Sequence, residues 1–148
     1  CARVEFTDGV DQLACVRLTD TGLLRWYAAC CNTAIGNTAP SIGLPFVGLI
    51  HACMDHAADG QTRDAALGPV RNRVNARYAK GDLTGLDAQQ KNSISMLTRL
   101  LPIILMGRLR GEHKRGPFFD VATEKPRATP HVLSVDELRR VVSARDAK

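Results

Sequence analysis

The sequence is short of aromatic residues, with one Trp, two Tyr and four Phe among 148 positions. So few rings leave little for base stacking, and no recognised nucleic-acid motif is present, so a nucleic acid is not the expected partner. Long apolar runs are also missing. The longest, Leu100 to Met106, is flanked by Arg99 and Arg108 and is far shorter than the roughly 20 residues of a spanning helix. No membrane segment is therefore expected. There is no nucleophile elbow, phosphate loop or His-Glu-x-x-His, so no catalytic residue is identified from a motif. No basic, apolar and small-residue stretch of the signal-peptide kind opens the chain, and the expected location is the cytoplasm. Internal repeats and low-complexity tracts are absent too.

What is present is an ordinary globular composition, 45% hydrophobic and 24% charged, in a length suited to one domain. The net charge of +5 is unevenly spread. Residues 1–62 carry three Arg against six acidic residues, and residues 63–148 carry seventeen Lys and Arg against nine acidic ones. Character changes near residue 62. The basic clusters Arg71, Arg73, Arg77 and Lys80, and Arg108, Arg110, Lys114 and Arg115, read as solvated faces.

The first portion, 1–62, has the period of β structure. Val4-Glu5-Phe6 alternates, Leu13 to Leu18 and Leu23 to Ala29 form a hairpin about Thr19-Asp20-Thr21-Gly22, Thr33 to Thr38 is a short strand, and Phe46 to Met54 reads as a buried one. The second portion, 63–148, has helical period. Leu67, Val70, Val74 and Tyr78 recur with Pro69 in the first turn and Gly81 at the stop. Ile94, Leu97, Leu101, Ile104 and Leu105 define a second helix with Gly111 at its end. Pro102 inside it predicts a kink or a late start. Ser134-Val135-Asp136-Glu137 has capping-box spacing ahead of a third helix, and Gly116 to Pro130 is a loop. The expected architecture is α+β: a small antiparallel β-sheet, then a helical extension packed on it as one domain overall.

Five cysteines are an odd number, so they cannot all pair within the chain. Cys15 and Cys53 lie in apolar runs and are expected to be buried free thiols. Cys30 and Cys31 are neighbours at the end of the strand that holds the only Trp, and turn-forming residues follow. An aromatic strand leading into such a knuckle is how small β modules present thiolates to a metal. His51 and Cys53 would share one strand face, with His56 beyond. The expectation there is a core Cys53 beside a hydrogen-bonded His51. A Cys30–His51 pair for thiol chemistry is an arrangement that sequence alone does not establish.

Arg25-Trp26-Tyr27-Ala28-Ala29-Cys30-Cys31-Asn32-Thr33 resembles the last motif of the glutathione-dependent formaldehyde-activating (GFA, or CENP-V-like) family, an aromatic strand ending in Cys-x-x-Cys-Gly-Thr. On that match Cys31 takes the second cysteine position, Ala28 replaces the first, and Asn32 replaces the glycine. Ala2 to Thr7, Leu67 to Arg71, Leu109-Arg110-Gly111 and Pro117 to Asp120 also look like one uncharacterised bacterial branch of that family. The resemblance implies a compact zinc-binding β fold, here an incomplete one. The chain looks like the C-terminal portion of a member, without the early cysteine motifs.

A structural zinc takes four thiolate or imidazole ligands, and side chains of adjacent cysteines are expected to diverge. No cofactor is therefore expected. Should zinc bind, Cys31 is the first ligand and Cys30 the second, with Cys1, Cys53, His51, His56 or a second chain to complete the site. The expected function is that of a degenerate or truncated GFA-like module without a complete zinc site or intact catalysis. One alternative is a homo-oligomeric binding or assembly protein, a homodimer, whose apolar helix and exposed sheet edge recruit a second copy. Another is a zinc-dependent glutathione-adduct enzyme of carbon–sulfur lyase type, if the missing half is supplied. No small-molecule ligand is identified.

Overall fold

The structure is a computed structural model that describes residue 2, residues 4–54, 60–70, 84 and 94–146. It is α+β. Five strands form one mixed sheet in the order β4-β3-β2-β1-β5, where β1 is Leu13–Arg17, β2 Leu24–Ala28, β3 Thr33–Thr38, β4 Val47–Leu49 and β5 His131–Val132. The α-helices among the described residues are α1 Arg63–Leu67, α2 Ile94–Leu109 and α3 Val135–Asp146. Among the same residues, no helix is long and apolar enough to cross a membrane.

The chain divides into two compact units, Cys1–Cys53 with Gly107–Lys148, and Met54–Met106. The first contains the sheet. β1 and β2 pair antiparallel, with Cys15 opposite Trp26, and the Thr19 carbonyl accepts from the Gly22 N–H at 3.1 Å to close their turn. β3 and β4 continue the antiparallel run. On the other edge β5 joins β1 in parallel, with Val16 beside His131. This parallel edge comes from the C-terminal portion and carries no period-two signal, since it is only two residues long.

The core of this unit gathers Cys15, Leu24, Trp26, Ile42, Phe118 and Phe119, with Phe6, Leu13, Ile35 and Leu49 packed around it. Trp26 lies with its ring centroid 5.2 Å from Phe118 and 6.3 Å from Phe119. Edge-on and tilted contacts of this kind suit the ring quadrupoles and add to the area they bury. Phe118 and Phe119 belong to the segment expected to be a plain loop. That segment is irregular, but hydrogen bonds from Asp120 N–H to the Lys125 carbonyl and from Arg127 N–H to the Phe118 carbonyl fold it back, so both rings reach the sheet.

Two strand expectations are corrected. Val4 to Phe6 forms no strand, and Phe6 instead packs edge-on against Phe118 at 5.6 Å. Phe46 to Met54 is not one buried strand: only Val47–Leu49 pairs, half-buried, and a 3₁₀ turn at His51–Cys53 ends it. Apolar content there reflects short contacts with β3, not a continuous ladder.

The second unit holds α1 and most of α2. The Thr62 hydroxyl accepts from the Ala65 N–H at 3.2 Å and caps α1, and Gly68 at φ 79° terminates it. Leu67 is the last residue of α1, and the helix expected from Leu67 onward falls largely on residues 71–80, outside the described residues. Val74, Tyr78, Gly81 and the basic residues Arg71, Arg73, Arg77 and Lys80 lie outside the described residues. α2 runs on both sides of Pro102, so it does not start late. Gly111, at φ 69°, follows its end.

α3 begins at the expected capping box. The Ser134 hydroxyl accepts from the Glu137 N–H at 3.3 Å, while the Ser134 N–H donates to the Glu137 carboxylate at 2.8 Å. Two otherwise orphaned donors are thereby satisfied.

Candidate functional site

Three local features shape one end of the sheet. A 3₁₀ turn at Val10–Gln12 leads into β1 behind Gly9, whose φ of 68° suits a residue without a Cβ. The Gln12 carbonyl accepts from the Ala29 N–H at 2.8 Å and ties that turn to the start of the cysteine knuckle. On β3 the register with β2 shifts, since Trp26 faces Gly36 but Tyr27 faces Ala34, which leaves Ile35 as the extra residue of a bulge. A bulge re-aims the side chain it carries.

The result is a groove of about 260 Å³ lined by the apolar Phe6, Val10, Leu13, Ala28 and Ile35 together with Asp8 and Gln12. Cys30 is part of its wall.

Cys30 and Cys31 are both exposed free thiols, on a turn in which Asn32 takes a left-handed conformation at φ 56°. Asn tolerates this region better than most residues. The turn changes the geometry expected of adjacent cysteines. Their side chains do not diverge: the Cys30 S–H donates to Cys31 Sγ at 3.7 Å. Cys31 Sγ in turn lies 3.0 Å from the Thr33 hydroxyl.

These contacts separate the two thiols in acidity. The hydroxyl and backbone N–H of Thr33, and then the Cys30 thiol, hold the Cys31 pKa below that of an ordinary thiol. Cys30 is held above its ordinary value, chiefly because it donates its proton to Cys31. The contacts thus make Cys31 the more acidic of the two thiols.

The separation also bears on metals. Two thiolates at about 2.3 Å on a tetrahedral zinc lie roughly 3.8 Å apart, close to the observed 3.7 Å. The pair fits two positions of such an ion. Among the described residues, no group of three His, Cys, Asp or Glu comes together to hold a metal.

The other expected participants are elsewhere. Cys15 is buried on β1 opposite Trp26, and burial pushes its pKa up to about 11. Cys53 is exposed instead of in the core, where its thiol meets the Ile50 carbonyl at 2.8 Å. His51 sits with it in a 3₁₀ turn, so the two do not share a strand face. No hydrogen bond joins His51 to Cys30 among the described residues. Cys1 and His56 lie outside the described residues. Sequence patterning does not reveal the groove. Phe6, Leu13, Ala28 and Cys30 of its lining fall in segments singled out in the sequence, but nothing in the pattern places them together.

A family described as "Family of unknown function (DUF6151)" matches residues 1–129, which include the whole groove and knuckle. No curated protein and no solved structure matches.

Proposed function

The chain belongs to DUF6151, a family of unknown function, and from that premise we propose that it is a thiol-presenting binding module and not a self-sufficient enzyme. Cys31 is its more acidic thiol and first ligand, and Cys30 is the second. The observation that carries this reading is the Cys30–Cys31–Thr33 chain of contacts at 3.7 and 3.0 Å on an exposed turn beside an apolar groove. Free structural cysteines are usually buried and inert; these are exposed, paired and unequal in acidity.

The likeness of the aromatic strand and knuckle to the GFA-type family belongs to the same proposal, as a module that keeps half of a thiolate metal site. A zinc ion there would be held by Cys31 and Cys30, with its other positions filled from outside the described residues. It would supply structural crosslinking of the turn, or of two turns from two chains. Alkylation by iodoacetamide across pH, followed peptide by peptide, tests the reading. Cys31 should react at a lower pH than Cys30, with Cys15 protected until unfolding. Equal pH profiles for Cys31 and Cys30 would remove the basis for a special thiol.

A second reading, self-association as a homodimer, is supported by one feature of α2. Leu97, Leu101 and Ile103 are 60%, 60% and 67% exposed, more apolar surface than one helix usually leaves to water. Light scattering after gel filtration tests it. A dimer that Leu101→Asp converts to a soluble monomer supports the reading, and a 16.1 kDa species at all concentrations removes it.

A further inference from the structure

The proposal above leaves open what chemistry two thiols and a groove would select together, and three observations narrow it. The first is the bite. Sulfurs 3.7 Å apart, each bonded at about 2.3 Å, subtend roughly 107° at a shared atom. A linear two-coordinate cation would need them roughly 4.6 Å apart, so the pair suits a pyramidal or tetrahedral centre. The second is the number of ligands. Two thiols converge, and among the described residues no third His, Cys, Asp or Glu completes a cluster. A converging pair of thiols fits a centre with two exchangeable positions. The third is the groove. Cys30 forms part of its wall, and Phe6, Val10, Leu13, Ala28 and Ile35 give it an apolar lining. Its volume of about 260 Å³ exceeds the roughly 150 Å³ of an apolar cavity that accepts benzene.

Resting on the thiol-binding reading, we propose that the knuckle and groove together form a capture site for mono-organo trivalent arsenicals, with arsenic held by Cys30 and Cys31 and its carbon substituent in the groove. Soft thiolates favour soft, polarisable centres of this kind. The exchange balances without an oxidant. In R–As(OH)₂ the two As–O bonds break and two As–S bonds form. Each thiol proton leaves with a hydroxyl as water, the As–C bond is untouched, and arsenic stays trivalent. Cys31 forms the first As–S bond, and Cys30, whose sulfur lies 3.7 Å away, closes the ring.

Phenylarsine oxide and inorganic arsenite are the probes, added to the full chain and followed by intact mass, with affinities from competition against a small dithiol. The expected result is one phenylarsenic unit per chain on the peptide that contains Cys30 and Cys31, lost in both Cys30→Ser and Cys31→Ser. Val10 is 49% exposed on its 3₁₀ turn, so its replacement should not disturb folding. Val10→Asp and Val10→Lys should each weaken phenylarsine oxide by about tenfold while leaving arsenite unchanged. Testing both charges separates the loss of apolar lining from any effect on thiol acidity. If phenylarsine oxide binds the Val10 variants as tightly as the unmodified chain, the groove has no part and this proposal is overturned, while the reactive pair stands. If Cys31→Ser captures the probe undiminished, the proposal and the thiol-binding reading fall together.

Discussion

The indole N–H of Trp26 donates to the hydroxyl of Thr38 at 2.9 Å, and both side chains are almost fully buried. This bond joins β2 to β3 beneath the aromatic cluster, and it is the polar exception in an apolar core. Thr38→Val keeps the shape and removes the acceptor, which strands the indole N–H away from water. The expected loss is about 1–3 kcal/mol, read as a lower urea midpoint with an unchanged slope. A neutral result would mean that the indole finds another acceptor.

Gly36 and Gly48 lie near each other on β3 and β4 but should answer differently to the same change. A Cβ on Gly36 would overlap the Gly48 carbonyl oxygen, whereas one on Gly48 would meet nothing closer than the Phe46 ring at 4.0 Å. Gly36→Ala is expected to cost about 1–3 kcal/mol as β4 is pushed away, and Gly48→Ala to stay close to neutral. Paired thermal melts decide this.

The capping box should make α3 sensitive to acid. Hydrogen bonds from the Ser134 N–H and hydroxyl, and then from His131, lower the Glu137 pKa from an ordinary 4.5 to about 2. A carboxylate with a depressed folded pKa contributes stability above its unfolded value and loses it as pH falls. Between pH 4.5 and about 2 the first turn of α3 should therefore fray, as seen in faster amide exchange at Glu137 and Leu138. In Ser134→Ala this window should move up towards the ordinary carboxylate range.

Cys15 gives the opposite dependence at high pH. Its thiol ionises near 9.0 when unfolded and near 11 when buried, so between these values the unfolded chain releases a proton that the folded one keeps. Stability should fall as pH rises through that window. Cys15→Ala should flatten the slope of stability against pH there, measured by urea unfolding at each pH.

Much of the hairpin is legible in the sequence because Leu13 to Leu18 alternates and Leu23 to Ala29 follows across the Thr19-Asp20-Thr21-Gly22 turn. The capping box is legible because four residues suffice to make it. Phe118 and Phe119 are not, because their place in the core depends on a turn of irregular backbone with no period to read. β4 is overextended in the sequence reading for a related reason, since an apolar run shows that residues avoid water but not where pairing stops. The knuckle is visible in the sequence, but its geometry is not. Adjacent side chains diverge on an extended strand, whereas Cys30 and Cys31 stand on the turn that follows β2, with their sulfurs 3.7 Å apart.

Phe118 stands 92 positions after Trp26 in the sequence, yet it is the ring that covers that indole within the core. During synthesis the hairpin is complete long before its cover exists. At ordinary elongation rates of about 5–20 residues per second, the delay is on the order of ten seconds. Throughout that interval a nascent chain carries an uncovered aromatic face, and β1 has an open edge until residues 131 and 132 arrive. Ribosome-associated holdases that recognise exposed apolar segments would find this chain a prolonged client, and slower translation would lengthen that dependence.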